Sequence, residues 1–227
     1  EDAHHLIRVL RVKIGEQIIV SDGQGTEVLG KVTATDESSV VVERVTELKT
    51  SGEPKVEVWI AQSLPKGDKF ETVVQKCTEL GASRIIPFIS ERTIVRYDEK
   101  KLQKRMERWR KIAKEAAEQS ERLFIPEINY CTSLEQLIAD HDSGPVIALH
   151  EDTARSGKHK GLRELFNSHL RSLFVLVGPE GGFSEKEANW MHDYQVNMVS
   201  LGPRILRSES AALYLLAALS YQYELSR

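Results

Sequence analysis

Two short loops, each directly after an apolar run, carry the residues best suited to bind a ligand. The first loop is Gly178-Pro179-Glu180-Gly181-Gly182, which follows the run Leu173–Val177. Glycines let a ligand approach the backbone closely, and a plain turn between a strand and a helix would need only one of them. The pattern therefore predicts a tight, pre-shaped loop that holds a ligand through its backbone.

The second loop follows the run Met198–Leu201 and reads Gly202-Pro203-Arg204-Ile205-Leu206-Arg207. Arg204 and Arg207 lie on a segment too short to hide two long cations, so they point to binding rather than to packing. The next residues predict a helix with Ser208 as its N-cap. Because residues 211–219 are apolar on every side, we expect the sheet and a second subunit to bury this helix.

Both loops require a parallel sheet to bring them together. From Val56 onward, β-type runs alternate with helical patterns, which predicts an α/β fold with a parallel sheet. The predicted strands are Val56–Ala61, Arg84–Ile89, Val146–Leu149, Leu173–Val177 and Met198–Leu201. The predicted helices are Asp68–Leu80, Lys100–Gln119, one from Ser133, Ser184 to about Tyr194, and Ser208–Leu225. Ligands of such sheets bind beyond the carboxyl ends of the strands, where both loops fall.

The first 50 residues follow a different pattern. A short helix, with helically spaced apolar residues at Leu6, Ile7, Val9 and Leu10 and an expected end near Gly15, precedes three runs rich in β-branched residues. These runs are Gln17–Ser21, Thr26–Thr33 and Val40–Val45. Asp22–Gly25 and Asp36–Ser39 have turn composition. These elements predict a small antiparallel barrel. Thr50–Pro54 resembles a linker, which divides the chain into domains at residues 1–50 and 55–227.

Composition excludes several classes of protein. The chain has 227 residues, of which 41% are apolar, and a net charge of −3. Its longest near-unbroken apolar run, Ala211–Leu219, is too short to cross a bilayer, and its N-terminus resembles no export signal. The only cysteines, Cys77 and Cys131, are not at zinc spacing. P-loop, GxGxxG, GxSxG and HExxH motifs are absent. We therefore expect a cytoplasmic protein with no membrane segment and no metal.

The positive charge is unevenly distributed. Between Arg84 and Arg122 there are twelve Lys or Arg and seven Asp or Glu, and Arg8, Arg11 and Lys13 form a second basic cluster. A solvated helix face laced with ion pairs would explain the first cluster. A surface selective for RNA or phosphate would explain both.

Taken together, the two loops closely resemble those of the RsmE family, ribosomal RNA methyltransferases of the SPOUT superfamily. Further stretches match the same family: Leu64–Lys69, Gln75–Gly81, Ser90–Arg92, Ala116–Ser120 and His4–Arg11. The resemblance implies a PUA-like β-barrel that binds RNA, followed by a SPOUT α/β domain whose chain forms a deep trefoil knot. It also implies a homodimer.

The implied reaction is transfer of a methyl group from S-adenosylmethionine to N3 of a uridine in 16S rRNA of the small ribosomal subunit. For this family the target is uridine 1498 in rRNA numbering. Uracil N3 loses its proton only near a pKa of about 9 to 10, so nearby positive charge or a base must favour the anion. We expect Arg204 or Arg207 to supply that charge and Glu180 or Glu209 to accept the proton.

The resemblance also assigns binding residues. The cofactor set is Leu149, Val177, Gly178, Pro179, Glu180, Gly181, Gly182, Leu201, Gly202, Ile205, Leu206, Ser210 and Ala211, with His150 and Glu151 beside it. Family members usually have threonine where this chain has Ser210, a change that keeps the hydroxyl. The RNA-binding set is Arg8, Arg11, Lys66, Arg92 and Arg122. Two alternatives are a SPOUT methyltransferase for a different rRNA or tRNA nucleotide, and a non-catalytic RNA-binding assembly factor.

Overall fold

A computed structural model describes residues 2–48, 52–139, 144–150, 160–166 and 169–226. They form two compact units. The first contains the chain up to Gly52 together with Glu121–Phe124, and the second contains Glu53–Ser120 and the chain from Ile125 onward. Within the described ranges, no helix combines the length and the apolar character needed to span a membrane.

The first unit is built on a small antiparallel sheet. Helix α1 (Asp2–His4) continues as a π-helical turn over His5–Val9, and the strands are β1 (Gln17–Ser21), β2 (Glu27–Thr35) and β3 (Val40–Glu47). The strand order is β1-β2-β3, and β1 and β3 are not paired with each other among the described residues. The three predicted strands are therefore confirmed. Each pairs antiparallel with the next one along the chain, which makes the sheet a β-meander.

Aspartates make the two predicted turns of this sheet. The Asp22 carboxylate accepts hydrogen bonds from the amides of Gln24 (2.7 Å) and Thr26 (3.0 Å). Asp36 accepts from the Ser39 hydroxyl at 2.6 Å and from the Ser38 and Ser39 amides. These bonds lower the pKa of Asp36 to about 2. The turn chemistry read from the sequence is thus confirmed.

A distant segment completes the first unit. The Gly25 amide donates to the Leu123 carbonyl at 3.1 Å, and Gln24 forms a β-bridge with Phe124. Gly25 has a φ of +106°, and a Cβ there would lie 2.7 Å from the Phe124 ring, so only glycine fits. Residues 121–124 therefore lie in the first unit, which the sequence did not predict.

The second unit contains a six-stranded sheet. Its strands are β4 (Glu57–Ser63), β5 (Arg84–Phe88), β6 (Glu127–Ile128), β7 (Val146–Leu149), β8 (Ser172–Val177) and β9 (Asn197–Val199). Their order is β6-β5-β4-β8-β7-β9, and every neighbouring pair is parallel. The α/β prediction is confirmed. Because all strands point the same way, the loops that leave their carboxyl ends share one edge of the sheet.

Helices cover both faces of this sheet. They are α2 (Lys69–Glu79), α3 (Glu99–Gln119), α4 (Leu134–Ala139), α5 (Lys160–Phe166), α6 (Glu185–Asp193) and α7 (Ser208–Ser220), which continues as a π-helical turn over Tyr221–Leu225. In β8, Leu173 and Val175 pack into one core, whereas Phe174 and Leu176 pack into the other. Burial on both faces explains why this strand is apolar without alternation.

The last helix is only partly buried. Its buried residues are Ala211, Ala212, Leu215, Leu216 and Leu219. Tyr214 remains 42% exposed and Tyr221, in the following turn, 64% exposed. Helix α2 and strand β8 therefore cover one side of α7, while Tyr214 on this helix and Tyr221 in the following turn remain accessible.

Candidate active site

The loops that follow β7, β8 and β9 enclose a cavity of about 420 Å³. Most of the predicted cofactor and catalytic residues line it: Leu149, Val177, Gly178, Pro179, Glu180, Gly181, Gly182, Leu201, Arg204, Ile205, Leu206, Arg207, Glu209 and Ala211. Gly202 and Ser210 are not among its lining residues, and Glu151 lies outside the described residues. The parallel sheet thus brings together two segments whose nearest ends, Gly182 and Gly202, lie twenty positions apart in the chain.

Ser208 connects the two predicted loops. Its hydroxyl donates to the Gly178 carbonyl at 2.6 Å and accepts from Gln62 Nε2 at 2.8 Å. Gln62, near the end of β4, is fully buried. The prediction that Ser208 is the N-cap of α7 is wrong: the N-cap is Arg207, whose carbonyl accepts from the Ser210 and Ala211 amides. The Ser208 side chain instead fixes the glycine-rich loop.

The loop after β5 holds the glycine-rich loop from its other side. Arg92 Nη1 donates to the Gly181 carbonyl at 2.9 Å, and the Glu91 amide donates to Glu187 Oε1 at 2.8 Å. The Ser184 hydroxyl donates to the Glu91 carboxylate. Ser184 and Glu187 also form the predicted capping box at the start of α6, which is confirmed. Arg92 therefore holds the glycine-rich loop at Gly181, and Glu91 holds the start of α6, which follows this loop.

Lys69 connects the two glutamates of the cavity wall. Its Nζ lies 3.1 Å from a Glu209 carboxylate oxygen and 3.7 Å from Glu180 Oε1. Glu180 Oε1 also accepts from the Lys66 amide at 3.1 Å. Desolvation raises the pKa of Glu209, but its own backbone amide, Lys69 and Arg207 outweigh that effect and leave the pKa below its ordinary value. Glu209 is therefore a stable anion at neutral pH.

Backbone geometry explains two of the glycines. A Cβ at Gly178 would lie 3.3 Å from the Phe183 ring, tighter than ordinary contact. Gly202 has a φ of +110°, a conformation that other residues rarely adopt. Gly202 therefore shapes the second loop from outside the cavity lining.

The predicted RNA-binding residues fall into different surroundings. Arg8, Arg11, Lys66 and Arg92 are exposed, whereas Arg122 is only 6% exposed. A buried guanidinium is not presented to a phosphate, so burial argues against Arg122 as an RNA contact. Arg92 lines the cavity as well as holding the Gly181 carbonyl. Among the described residues, no three His, Cys, Asp or Glu side chains are grouped as a metal site would require.

Comparison with known families covers both units. The sequence profile of the RNA methyltransferase domain matches residues 52–220, and that of the RNA methyltransferase PUA domain matches residues 1–43. The ribosomal RNA small subunit methyltransferase E of Bacillus subtilis is 40% identical over 233 residues, which cover 100% of this chain and 90% of that protein. This chain belongs to the RsmE family.

Solved structures agree with this membership. The ribosomal RNA small subunit methyltransferase E of Neisseria gonorrhoeae, solved with S-adenosyl methionine bound, superposes with a TM-score of 0.83 at 29% identity, covering 98% of this chain and 90% of that one. A methyltransferase of Legionella pneumophila, solved with the cofactor SAM, gives a TM-score of 0.82 at 31% identity and covers 96% and 88% of the two chains.

Sequence reasoning missed three residues of this RsmE site: Gln62, Lys69 and Ser208 in its role of joining the loops. Lys69 lies in the stretch Leu64–Lys69 that matches the family, so the match marked the segment without showing what its lysine contacts. Gln62 and Ser208 are 146 positions apart and meet only because β4 lies beside β8.

Proposed function

We propose that this chain methylates N3 of a uridine in small-subunit rRNA, uridine 1498 in rRNA numbering, with S-adenosylmethionine as the methyl donor. The cavity between the two loops is the observation that carries the proposal. Its volume of about 420 Å³ suits a small organic cofactor, and its wall combines backbone groups, apolar side chains and charges of both signs. The relatives from Neisseria and Legionella were both solved with this cofactor.

The residues of the cavity fit this donor. The glycine-rich loop offers backbone groups to the adenosyl moiety, and Leu149, Val199 and Ile205 offer apolar contact. Glu180 and Glu209 place negative charge near a cationic ligand. When bound, S-adenosylmethionine supplies an electrophilic methyl group on a sulfonium.

Two arginines prepare the acceptor in this proposal. Arg204 and Arg207 line the cavity and are exposed, so they are accessible to a uracil that enters it. Guanidinium groups stay charged and donate in a fixed geometry, which suits the uracil oxygens where negative charge collects as N3 loses its proton.

The two glutamates have different roles in this proposal. Glu209 is paired with Lys69 at 3.1 Å, and its pKa lies below the ordinary value, so it is a poor proton acceptor. We assign it to holding Lys69. Glu180 is more accessible than Glu209, with 34% of its side chain exposed compared with 19%. We assign Glu180 as the group that takes the N3 proton.

We propose further that the first unit is a PUA-like RNA-binding domain that uses Arg8 and Arg11, and that the domains predicted at residues 1–50 and 55–227 are the two functional domains, with residues 121–124 assigned to the first. The protein acts as a cytoplasmic homodimer, for which the exposed Tyr214 on α7 and Tyr221 in the following turn provide an apolar contact surface. The strand order, in which β8 lies between β4 and β7 while β9 lies beyond β7, supports a trefoil knot formed by the carboxyl-terminal loops.

Mass spectrometry of 16S rRNA tests this function. A strain that lacks the gene should lose one methyl group at the proposed uridine, and the wild-type gene should restore it while an Arg207→Ala gene should not. If the strain instead loses a methyl group from another rRNA or tRNA nucleotide, that nucleotide is the substrate and the proposed uridine is not.

Cofactor binding gives a separate test. S-adenosylmethionine at 100 times its Kd should stabilise the protein by about 2.7 kcal/mol. A chain that binds rRNA without any stabilisation by the cofactor would be an assembly factor instead.

A further inference from the structure

A second concave surface of the second unit is lined only by charged side chains. This α2–α3 cleft has a volume of about 400 Å³ and is bordered by Asp68, Glu71, Lys101, Lys104, Arg105 and Arg108. Four cations and two carboxylates give it a net charge of +2. It is separate from the cavity described above, and its four cations lie in the basic segment between Arg84 and Arg122, for which a solvated helix face and an RNA surface were both left open by the sequence.

The cations form a stripe that is unfavourable for the helix itself. Lys101, Lys104, Arg105 and Arg108 are spaced three and four residues apart, so they lie on one face of α3. Like charges four residues apart destabilise a helix. Further along the same helix, Lys111 and Lys114 instead pair with glutamates four residues on, at 3.8 and 3.1 Å. A role in solubility explains the paired lysines Lys111 and Lys114 but does not explain Lys101 and Lys104, which have no glutamate four residues on.

The two arginines are held in place by the acids. Glu71, whose side chain is 14% exposed, accepts from Arg108 through both carboxylate oxygens at 2.6 Å and from Arg105 at 2.9 Å. Arg105 also donates to Asp68 at 2.9 Å. Within the described ranges neither Lys101 nor Lys104 forms an ion pair. The cleft is therefore a preorganised surface with uncompensated positive charge.

The cleft adjoins the candidate active site through two consecutive residues. Asp68 accepts a hydrogen bond from Arg105 in the cleft, and Lys69 pairs with Glu180 and Glu209 in the cavity wall. A polymer that places one unit in the cavity can therefore reach the cleft with a neighbouring unit.

From this placement we propose that the α2–α3 cleft binds backbone phosphates of the RNA next to the nucleotide that enters the cavity. The inference rests on the proposed function. Lysine and arginine are the side chains that bind phosphate, and contacts to phosphate set the position of the RNA without reading its sequence. Lys101 and Lys104 are the contact residues and carry the net charge of +2, while the two arginines, paired with Glu71 and Asp68, fix the surface behind them.

The double variant Lys101→Ala/Lys104→Ala tests the inference. The Kd is measured at several salt concentrations for the full-length wild type and variant. The ligand is a transcript of the small-subunit rRNA region around the proposed uridine. Each lost phosphate contact lowers the salt slope by about 0.7 to 0.9, so two contacts lower it by about 1.6. The ratio of the variant's Kd to the wild-type Kd should then fall about ninefold between 50 and 200 mM salt. A transcript of scrambled sequence should show the same change of slope.

Two matched measurements separate this effect from damage to the fold. The variant Lys111→Ala/Lys114→Ala removes the same charges from the same helix and should keep the wild-type slope. Both double variants should keep the wild-type affinity for S-adenosylmethionine, because none of the four lysines lines the cavity. Their melting temperatures should fall by no more than about 4 °C, because exposed ion pairs such as those of Lys111 and Lys114 contribute about 0.2 to 0.5 kcal/mol each.

The possible outcomes distinguish failure of the proposed phosphate site from failure of the proposed function. If the wild type binds and methylates the rRNA, and the Lys101/Lys104 variant keeps its salt slope, the phosphate site is refuted and the proposed function stands. If the wild type neither binds the transcript nor is stabilised by S-adenosylmethionine, both proposals are refuted.

Discussion

Replacing Ser208 with alanine tests whether the site depends on the contact between its two loops. The change removes one hydroxyl that donates to the Gly178 carbonyl and accepts from Gln62 Nε2. Gln62 is fully buried and keeps only its 3.1 Å bond to the Ser63 carbonyl, so one of its N–H groups loses its partner. We therefore expect an effect well above that of an exposed Ser→Ala change.

The size of the effect follows from the cost of an unpaired buried group. Such a group costs about 1 to 3 kcal/mol, so Ser208→Ala should destabilise the protein by about 2 kcal/mol. For a chain of this length that corresponds to a fall in melting temperature of about 4 to 8 °C. The glycine-rich loop would also lose a contact that fixes it before the ligand binds. We expect affinity for S-adenosylmethionine to fall about tenfold, equivalent to about 1.4 kcal/mol.

Differential scanning calorimetry and isothermal titration calorimetry measure these two quantities. Ser220→Ala is the matched control, because Ser220 ends the same helix and, among the described residues, its hydroxyl bonds only to Glu224 one turn further on. The control should stay within about 0.5 kcal/mol of the wild type. If Ser208→Ala melts and binds like Ser220→Ala, the contact between the loops does not shape the site and the reasoning is refuted.

Three further substitutions probe other parts of the cavity. Gly178→Val should abolish binding of S-adenosylmethionine without unfolding the chain, because its side chain would meet the Phe183 ring at 3.3 Å; unchanged affinity by calorimetry would contradict this. Because the pKa of Glu209 is below its ordinary 4.5, its contribution to the free energy of unfolding is full at neutral pH and is lost as the pH falls through the folded-state pKa. In urea unfolding from pH 7 to 3, the free energy of unfolding of Lys69→Met should fall less steeply than that of the wild type. A curve of unchanged shape would show that Lys69 does not set this pKa. Arg207→Ala should lower kcat by about 100- to 1,000-fold with little change in cofactor affinity; an effect confined to affinity would assign Arg207 to binding alone.

The sequence predicted the parts of this fold that depend on neighbouring residues. The strand Val146–Leu149 and the capping box at Ser184 are found where they were expected, because side-chain periodicity and capping are local. The two loops could also be placed at one edge of the sheet, since parallel strands send their carboxyl ends the same way. The residues that line the cavity were therefore largely predictable.

Contacts between distant segments were not predictable. Nothing near Phe124 indicates that it would pair with Gln24, a hundred residues away, and this pairing explains why residues 121–124 belong to the first unit. Ser208 illustrates the same limit, because a serine at the start of a helix is usually its cap. Here Arg207 caps the helix through its backbone, which leaves the Ser208 hydroxyl to bond across the sheet.

The contrast between local patterns and contacts from distant segments also applies to how the site is built. The glycine-rich loop is flexible by composition, yet each part of it is fixed by a group from another element: Gly178 by Ser208, Glu180 by Lys69 and Gly181 by Arg92. Glycines give the ligand access to the backbone, and these outside contacts remove the conformational freedom that glycine would otherwise bring. The loop can therefore combine close approach with a preorganised shape. Because the supporting groups come from β4, α2, α7 and the loop after β5, the affinity of the cavity depends on the packing of the whole unit rather than on the motif alone.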